Sequence, residues 1–185
     1  FIAMIILVLA WSMSEISREL HTADFLIASL GNSLPAAALP AVIFVLAAFT
    51  AFSTGSSWGA MGILLPLVLP LCWAIMSMEG LTAGEDYFIL YSSVSGVLAG
   101  AVWGDHCSPI SDTTVMSSLS AGCDHIEHVR TQLPYALLAG AAALGAGTLP
   151  TSFGLPWWLG MLAAAAVTVV GLRLLGEPVE DYRPE

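Results

Sequence analysis

"FLIASLGNSLPAAALPAVIFVLAAFTAFSTGSSWGAMGILLPLVLPLCWAIMSM", residues 25–78, runs for 54 positions without an Asp, Glu, Lys, Arg or His. A membrane-spanning helix needs about 20 predominantly apolar residues. The run is therefore too long for one crossing and fits two, or one crossing plus a re-entrant hairpin. A second charge-free run, 131–172, divides naturally at Pro150–Pro156. Buried soluble cores seldom need runs of this length, and neither run alternates like the strands of a membrane barrel. The chain reads as an all-α integral membrane protein. It is a polytopic helix bundle with broken or re-entrant segments, and its first partner is the lipid bilayer.

Composition agrees. The chain is 57% hydrophobic and 10% charged, above and below the usual ranges for a soluble domain. Its net charge of −10, with four arginines and no lysine, excludes a nucleic-acid partner, which requires clustered basic residues. Cys72, Cys107 and Cys123 are odd in number and lie in or beside apolar segments, so they read as small buried thiols rather than a disulfide framework. The opening "FIAMIILVLAW" already lies inside an apolar run and has no signal-peptide pattern. It is expected to be a truncated helix in the C-terminal part of a longer protein. A transmembrane domain is expected over 1–175, followed by a solvated acidic tail over 176–185.

Working outward, spans are expected at Ala36–Phe52, Ala60–Met78, Tyr87–Trp103, Leu133–Leu149 and Leu155–Leu175. Phe25–Leu34 and Val115–Ala121 are apolar but short; the first suits a re-entrant half-helix. Polar connections are expected at 12–24, at the acidic "EGLTAGED" (79–86) and at "GCDHIEHVR" (122–130). Pro66, Pro70 and Pro109 are expected to mark kinks or breaks, because proline removes a helical hydrogen bond and clashes with the preceding turn. The small residues of "LLAGAAALGAG" (137–147) allow close helix approach. Arg18, Arg130, Arg173 and Arg183 favour cytoplasmic placement of the connections that carry them.

Two stretches interrupt the apolar pattern without supplying a proper loop: "STGSSWG" (53–59) and "GDHCSPISDTT" (104–114). Interruptions rich in Gly, Ser, Thr or Pro are the best sequence pointer to a transporter's substrate site. Unwound backbone exposes carbonyls and half-helix ends, and such a break must line a cavity because lipid offers it no partner. Hydroxyls and carboxylates beside it are hard oxygen ligands suited to a small cation. The candidates are Asp105 and Asp112, with Ser108, Ser111, Thr113 and Thr114 around them and Pro109 keeping the segment open. Ser53, Thr54, Gly55, Ser56 and Ser57 are expected to face them from the other break. A tight polar turn is the competing reading of the first stretch, and an aqueous loop of the second.

Zinc is the other chemistry to weigh, since Asp105, His106, Cys107, Cys123, Asp124, His125 and His128 are all ligand types. Their spacings match no standard ligand set, and no H-E-x-x-H is present. A membrane-embedded zinc hydrolase is thus the weakest alternative, and no resident metal or cofactor is expected. Cys107 and the histidines read as incidental, His125 and His128 as polar residues at the membrane surface. No G-x-S-x-G elbow or phosphate-cradling G-x-x-x-x-G-K-[ST] occurs, so neither serine hydrolysis nor ATP-driven transport is supported.

"AVWGDHCSPISDTTVMSSLSAGCDHIEHVRTQLPYAL" (101–137) resembles the C-terminal signature of the NhaC family of sodium/proton antiporters, and "FSTGSSWGAMGILLPL" (52–67) resembles a second motif of that family. The resemblance covers roughly 11–144. It implies a secondary transporter of the inner (plasma) membrane that exchanges Na+ for H+ without ATP, these ions being its cargo. It also implies a related G-D-x-x-S-P-x-S-D-T-T copy in an N-terminal half, giving pseudo-symmetric inverted repeats. Similar relatives exchange organic acids or carry amino acids, so a small organic solute is the alternative cargo. A homodimer is left open, as is the reading of this stretch as scaffold alone.

Overall fold

In the computed structural model, residues 34–176 are described continuously, with isolated positions between 8 and 28. The expected helix at 1–11, the connection after it, the half-helix at 25–34 and the tail lie, wholly or mostly, outside the described residues. Seven α-helices follow: α1 (Leu39–Thr54), α2 (Ser57–Met78), α3 (Tyr87–Cys107), α4 (Asp112–Ala121), α5 (His125–Ala142), α6 (Leu149–Ser152) and α7 (Trp157–Leu175). Short 3-10 turns precede α1 and α3, and a π-helical stretch, Ala143–Thr148, joins α5 to α6. Pro150 follows that stretch, and the wider winding relieves the clash its ring makes one turn back.

Among the described residues, five helical segments are long and apolar enough to cross a membrane: Ala36–Thr54, Ser57–Met78, Gly84–Cys107, His125–Ser152 and Trp157–Leu175. Large apolar side chains cover their outer faces, as lipid requires, with Phe49, Trp58, Trp157 and Leu174 all exposed. The protein is an all-α polytopic membrane protein.

The core lies where α1, α2 and α3 meet, built on Leu39, Ile43, Ala47, Val68, Cys72, Ile75, Met76 and Val97. The α1–α3 contact is the most extensive in the molecule. Gly96, Gly100 and Gly104 recur every four residues on α3, so they share one face. That face meets the α1 carbonyls of Pro40, Phe44 and Ala48, also four residues apart. A Cβ on Gly96 would stand 2.8 Å from the Pro40 oxygen, and those on Gly100 and Gly104 would come closer still to Phe44 and Ala48. Backbone lies against backbone along this seam. The small residues of 137–147 also pack closely: Gly140 accepts the Trp103 ring, and Gly147 faces Gly160 of α7. Trp103 stacks on Phe44 and donates from Nε1 to the Ala136 carbonyl at 2.7 Å. Trp103→Phe keeps the stack and loses this bond; thermal unfolding in detergent should register a cost of about 0.5–1 kcal/mol.

Several expectations need correction. Of the three prolines expected to kink or break a helix, Pro109 breaks one, while Pro66 and Pro70 lie inside the continuous α2 and so do not break it. Those two lie four residues apart on one strip, so the hydrogen-bond ladder persists on the other faces. The segment 122–130 is mostly helix rather than a polar connection. Gly122 (φ 65°) ends α4, and Asp124 caps α5, its Oδ1 accepting from the N–H groups of Ile126 and Glu127 at 3.0 Å. Its polarity is that of a helix start, acidic at the cap and in the first turn. Cys123 is exposed, whereas Cys72 and Cys107 are buried.

Candidate ion site at the α3–α4 break

The second interruption is narrower than its sequence suggests. Helix α3 continues through Gly104, Asp105 and Cys107, and α4 begins at Asp112. Only Ser108–Ser111 is unwound, with Ser108 (ψ 129°) and Ser111 (ψ 133°) both extended. Pro109 explains the first of these, since it drives its predecessor out of the α region. Ser111 then caps α4, its Oγ accepting from the Thr113 N–H at 3.2 Å and lying 2.8 Å from Thr113 Oγ1. Asp112 stands exposed in the first turn of α4, where the helix N-terminus favours negative charge.

The first interruption is narrower still. Only Gly55 and Ser56 separate α1 from α2, so Ser53, Thr54, Ser57 and Trp58 belong to helices. Ser53 and Thr54 are exposed, and the Thr54 hydroxyl donates to the Thr50 carbonyl at 2.9 Å. Ser56 Oγ accepts from the Gly59 N–H at 3.2 Å. Geometrically this is the tight polar turn that competed with the broken-helix reading.

The two interruptions nevertheless touch. Ser108 Oγ donates to the Phe52 carbonyl at the end of α1, at 2.8 Å. Gly55, left-handed at φ 66°, lies under the Ile110 carbonyl, which a Cβ would approach to 2.7 Å. Gly55→Ala meets both penalties, about 1–2 kcal/mol for the left-handed backbone and more for the contact. A lowered unfolding temperature is expected, and an unchanged one would contradict the contact.

Burial separates the candidate residues. Asp105, Ser108, Ser111 and Thr114 are buried, Asp105 at 6% and Thr114 at 3% exposure. Among the described residues, two buried side-chain atoms lack a hydrogen-bond partner: Asp105 Oδ1 and Thr114 Oγ1. Buried polar atoms are nearly always paired, so these two, one on each side of the break, are open to a partner from outside the protein, water or a ligand. Helix α4 turns its apolar side chains outward and its hydroxyls inward. Its buried residues are Thr114 and Ser118, while Val115, Met116 and Leu119 point outward. With the cap Ser111 they make a hydroxyl-lined inner face. Ten residues span about 15 Å, half the hydrocarbon thickness, so α4 does not cross.

Sequence reasoning set aside His125 and His128 and did not consider Gln132, yet α5 brings His125 and Gln132 to the break and its margin and His128 to α4. His125 Nε2 lies 2.6 Å from the Pro109 carbonyl, and His125 Nδ1 and His128 Nδ1 lie 3.1 and 2.8 Å from Ser118 Oγ. Gln132 donates to the His106 carbonyl. Among the described residues, no three His, Cys, Asp or Glu side chains converge as a metal-binding group.

Comparison with known proteins adds the remaining observation. The chain is 41% identical over 168 residues to an uncharacterized protein of Haemophilus influenzae, covering 91% of this chain and 30% of that protein. It is 35% identical over 98 residues to an uncharacterized Na+/H+ antiporter of the same organism, covering 51% and 19%. It is 31% identical over 90 residues to the malate-2H+/Na+-lactate antiporter of Bacillus subtilis, covering 48% and 17%. The chain thus spans less than a third of the length of these relatives. No solved structure matches it. The family model described as the Na+/H+ antiporter family matches residues 1–149, which include all five helices up to α5 and both interruptions. The chain belongs to the Na+/H+ antiporter family.

Proposed function

We propose that this chain supplies an ion site of a secondary transporter of the NhaC type, which exchanges Na+ for H+ by alternating access. The carrying observation is the pair of orphaned buried oxygens, Asp105 Oδ1 and Thr114 Oγ1. A carboxylate withdrawn from water must be neutralised, either by a proton or by a cation. A site that takes either but not both exchanges one for the other, and the ion gradients alone drive it. Thr114 offers a hard oxygen to Na+ without adding charge. Asp112, at the mouth of α4, is the second carboxylate of the pathway, with Thr113 and Ser111 ordering the turn that holds it. Of the α1–α2 turn and its flank, Phe52 and Gly55 form the wall against which the break rests.

In this reading the full-length protein carries a second G-D-x-x-S-P-x-S-D-T-T copy in an inverted repeat, and it resides in the inner membrane. Alternating the five spans puts Arg130 and Arg173 on one side and the acidic 79–86 loop on the other, so the arginine side is cytoplasmic. The test is Na+-dependent collapse of a pH gradient in inside-out vesicles containing the full-length protein. Absence of any Na+ response would sink the reading. Similarity to the malate-2H+/Na+-lactate antiporter favours a second reading, exchange coupled to a small organic acid. A response that appears only when malate or lactate is present selects it.

A further inference from the structure

A break in a membrane helix frees carbonyls, and each must go somewhere. At the end of α3 the Asp105 carbonyl accepts from the Ser108 N–H at 3.0 Å, and the Ser108 carbonyl from the Ser111 N–H at 3.4 Å. The His106 and Pro109 carbonyls are satisfied differently, by side chains of α5. Gln132 Nε2 donates to His106, and His125 Nε2 donates to Pro109 at 2.6 Å. A carbonyl only accepts, so the His125 ring carries a proton on Nε2. His125 and Gln132 are seven residues apart, two turns of α5, and so share one face.

The ring of His125 is itself held. Its Nδ1 lies 3.1 Å from Ser118 Oγ, which donates to the Thr114 carbonyl at 2.8 Å and lies 2.8 Å from His128 Nδ1. Thr114 is the residue whose own hydroxyl is orphaned. One face of α5 therefore ties the end of α3, next to Asp105, to the inner face of α4, at Thr114.

We propose that His125 and Gln132 are positioning residues of the ion site. They engage two carbonyls that the break would otherwise leave open to a cation, and they hold the end of α3, which carries Asp105, together with α4, which carries Thr114. The inference rests on the exchange reading above, and it adds that Na+ affinity is set from α5. Groups that orient ligands without touching the ion commonly change metal affinity by 10–100-fold when removed.

The experiment measures Na+ KM and maximal rate for variants of the full-length protein in inside-out vesicles. His125→Leu and Gln132→Leu should each raise the Na+ KM about tenfold while keeping most of the maximal rate. His125→Gln should restore a near-normal KM, because its amide nitrogen reaches the place of Nε2. His125→Asn, whose amide mimics Nδ1, should not. Should His125→Leu fail to accumulate, Gln132→Leu and the Gln/Asn pair carry the test. An unchanged KM in the Leu variants, or equal behaviour of Gln and Asn, overturns the inference and leaves Asp105 as the site. Wild-type exchange by Asp105→Asn overturns both.

Discussion

Asp105→Asn should reduce Na+-dependent dissipation of the pH gradient to the vesicle background while the protein accumulates normally. Asparagine keeps the shape of the side chain and one oxygen. It cannot bear the charge that holds a cation, nor take up and release the proton that replaces it. The second half of the expectation concerns stability. Asp105 is buried with an oxygen unpaired, so its carboxylate is a burden on the folded state. Its neutral amide should leave the unfolding temperature unchanged or raise it. Activity lost with stability kept is what distinguishes a site residue from a structural one. Asp112→Asn, at an exposed position, should also impair exchange. Wild-type exchange by Asp105→Asn would remove the site from this break altogether.

Gly104→Leu should abolish accumulation of folded protein. In lipid no hydrophobic effect drives helices together, so association depends on close packing. The α1–α3 seam consists of three glycines against three carbonyls, leaving nowhere for an added side chain to go. Overpacking costs about 1–3 kcal/mol in ordinary cores, and a contact made by backbone relaxes less than one made by side chains. Alanine gives the finer test. The order of damage should be Gly96→Ala, then Gly100→Ala, then Gly104→Ala, following how closely each added Cβ meets the opposing helix. Unfolding temperatures in detergent read this directly; equal tolerance at all three positions would contradict the seam.

The bundle was legible because lipid permits so little: long apolar runs must be helices, and the described residues hold five helical segments of spanning length. The exact extent of the interruptions was not, since a serine or aspartate reads the same in a turn as at a helix cap. Ser111, Asp112 and Asp124 look like loop residues in one dimension and are cap and first-turn residues in three. The α3 stripe carried a readable signal, G-x-x-x-G-x-x-x-G over 96–104, which the glycine-rich stretch at 137–147 overshadowed. His125 carried none. Its partner Pro109 is 16 residues away, and the bond exists only once α5 packs on the break. Burial likewise separates Asp105 from Asp112, two aspartates that composition treats alike.

The hydroxyl-lined inner face of α4 bears on how the protein is made. The translocon admits segments according to their own apolarity, and α4 is not among the segments long and apolar enough to qualify. Alone in lipid, the Ser118 hydroxyl would lack the His125 and His128 rings that meet it in the folded protein. Stable seating of α4 is therefore expected only once α5 has been made.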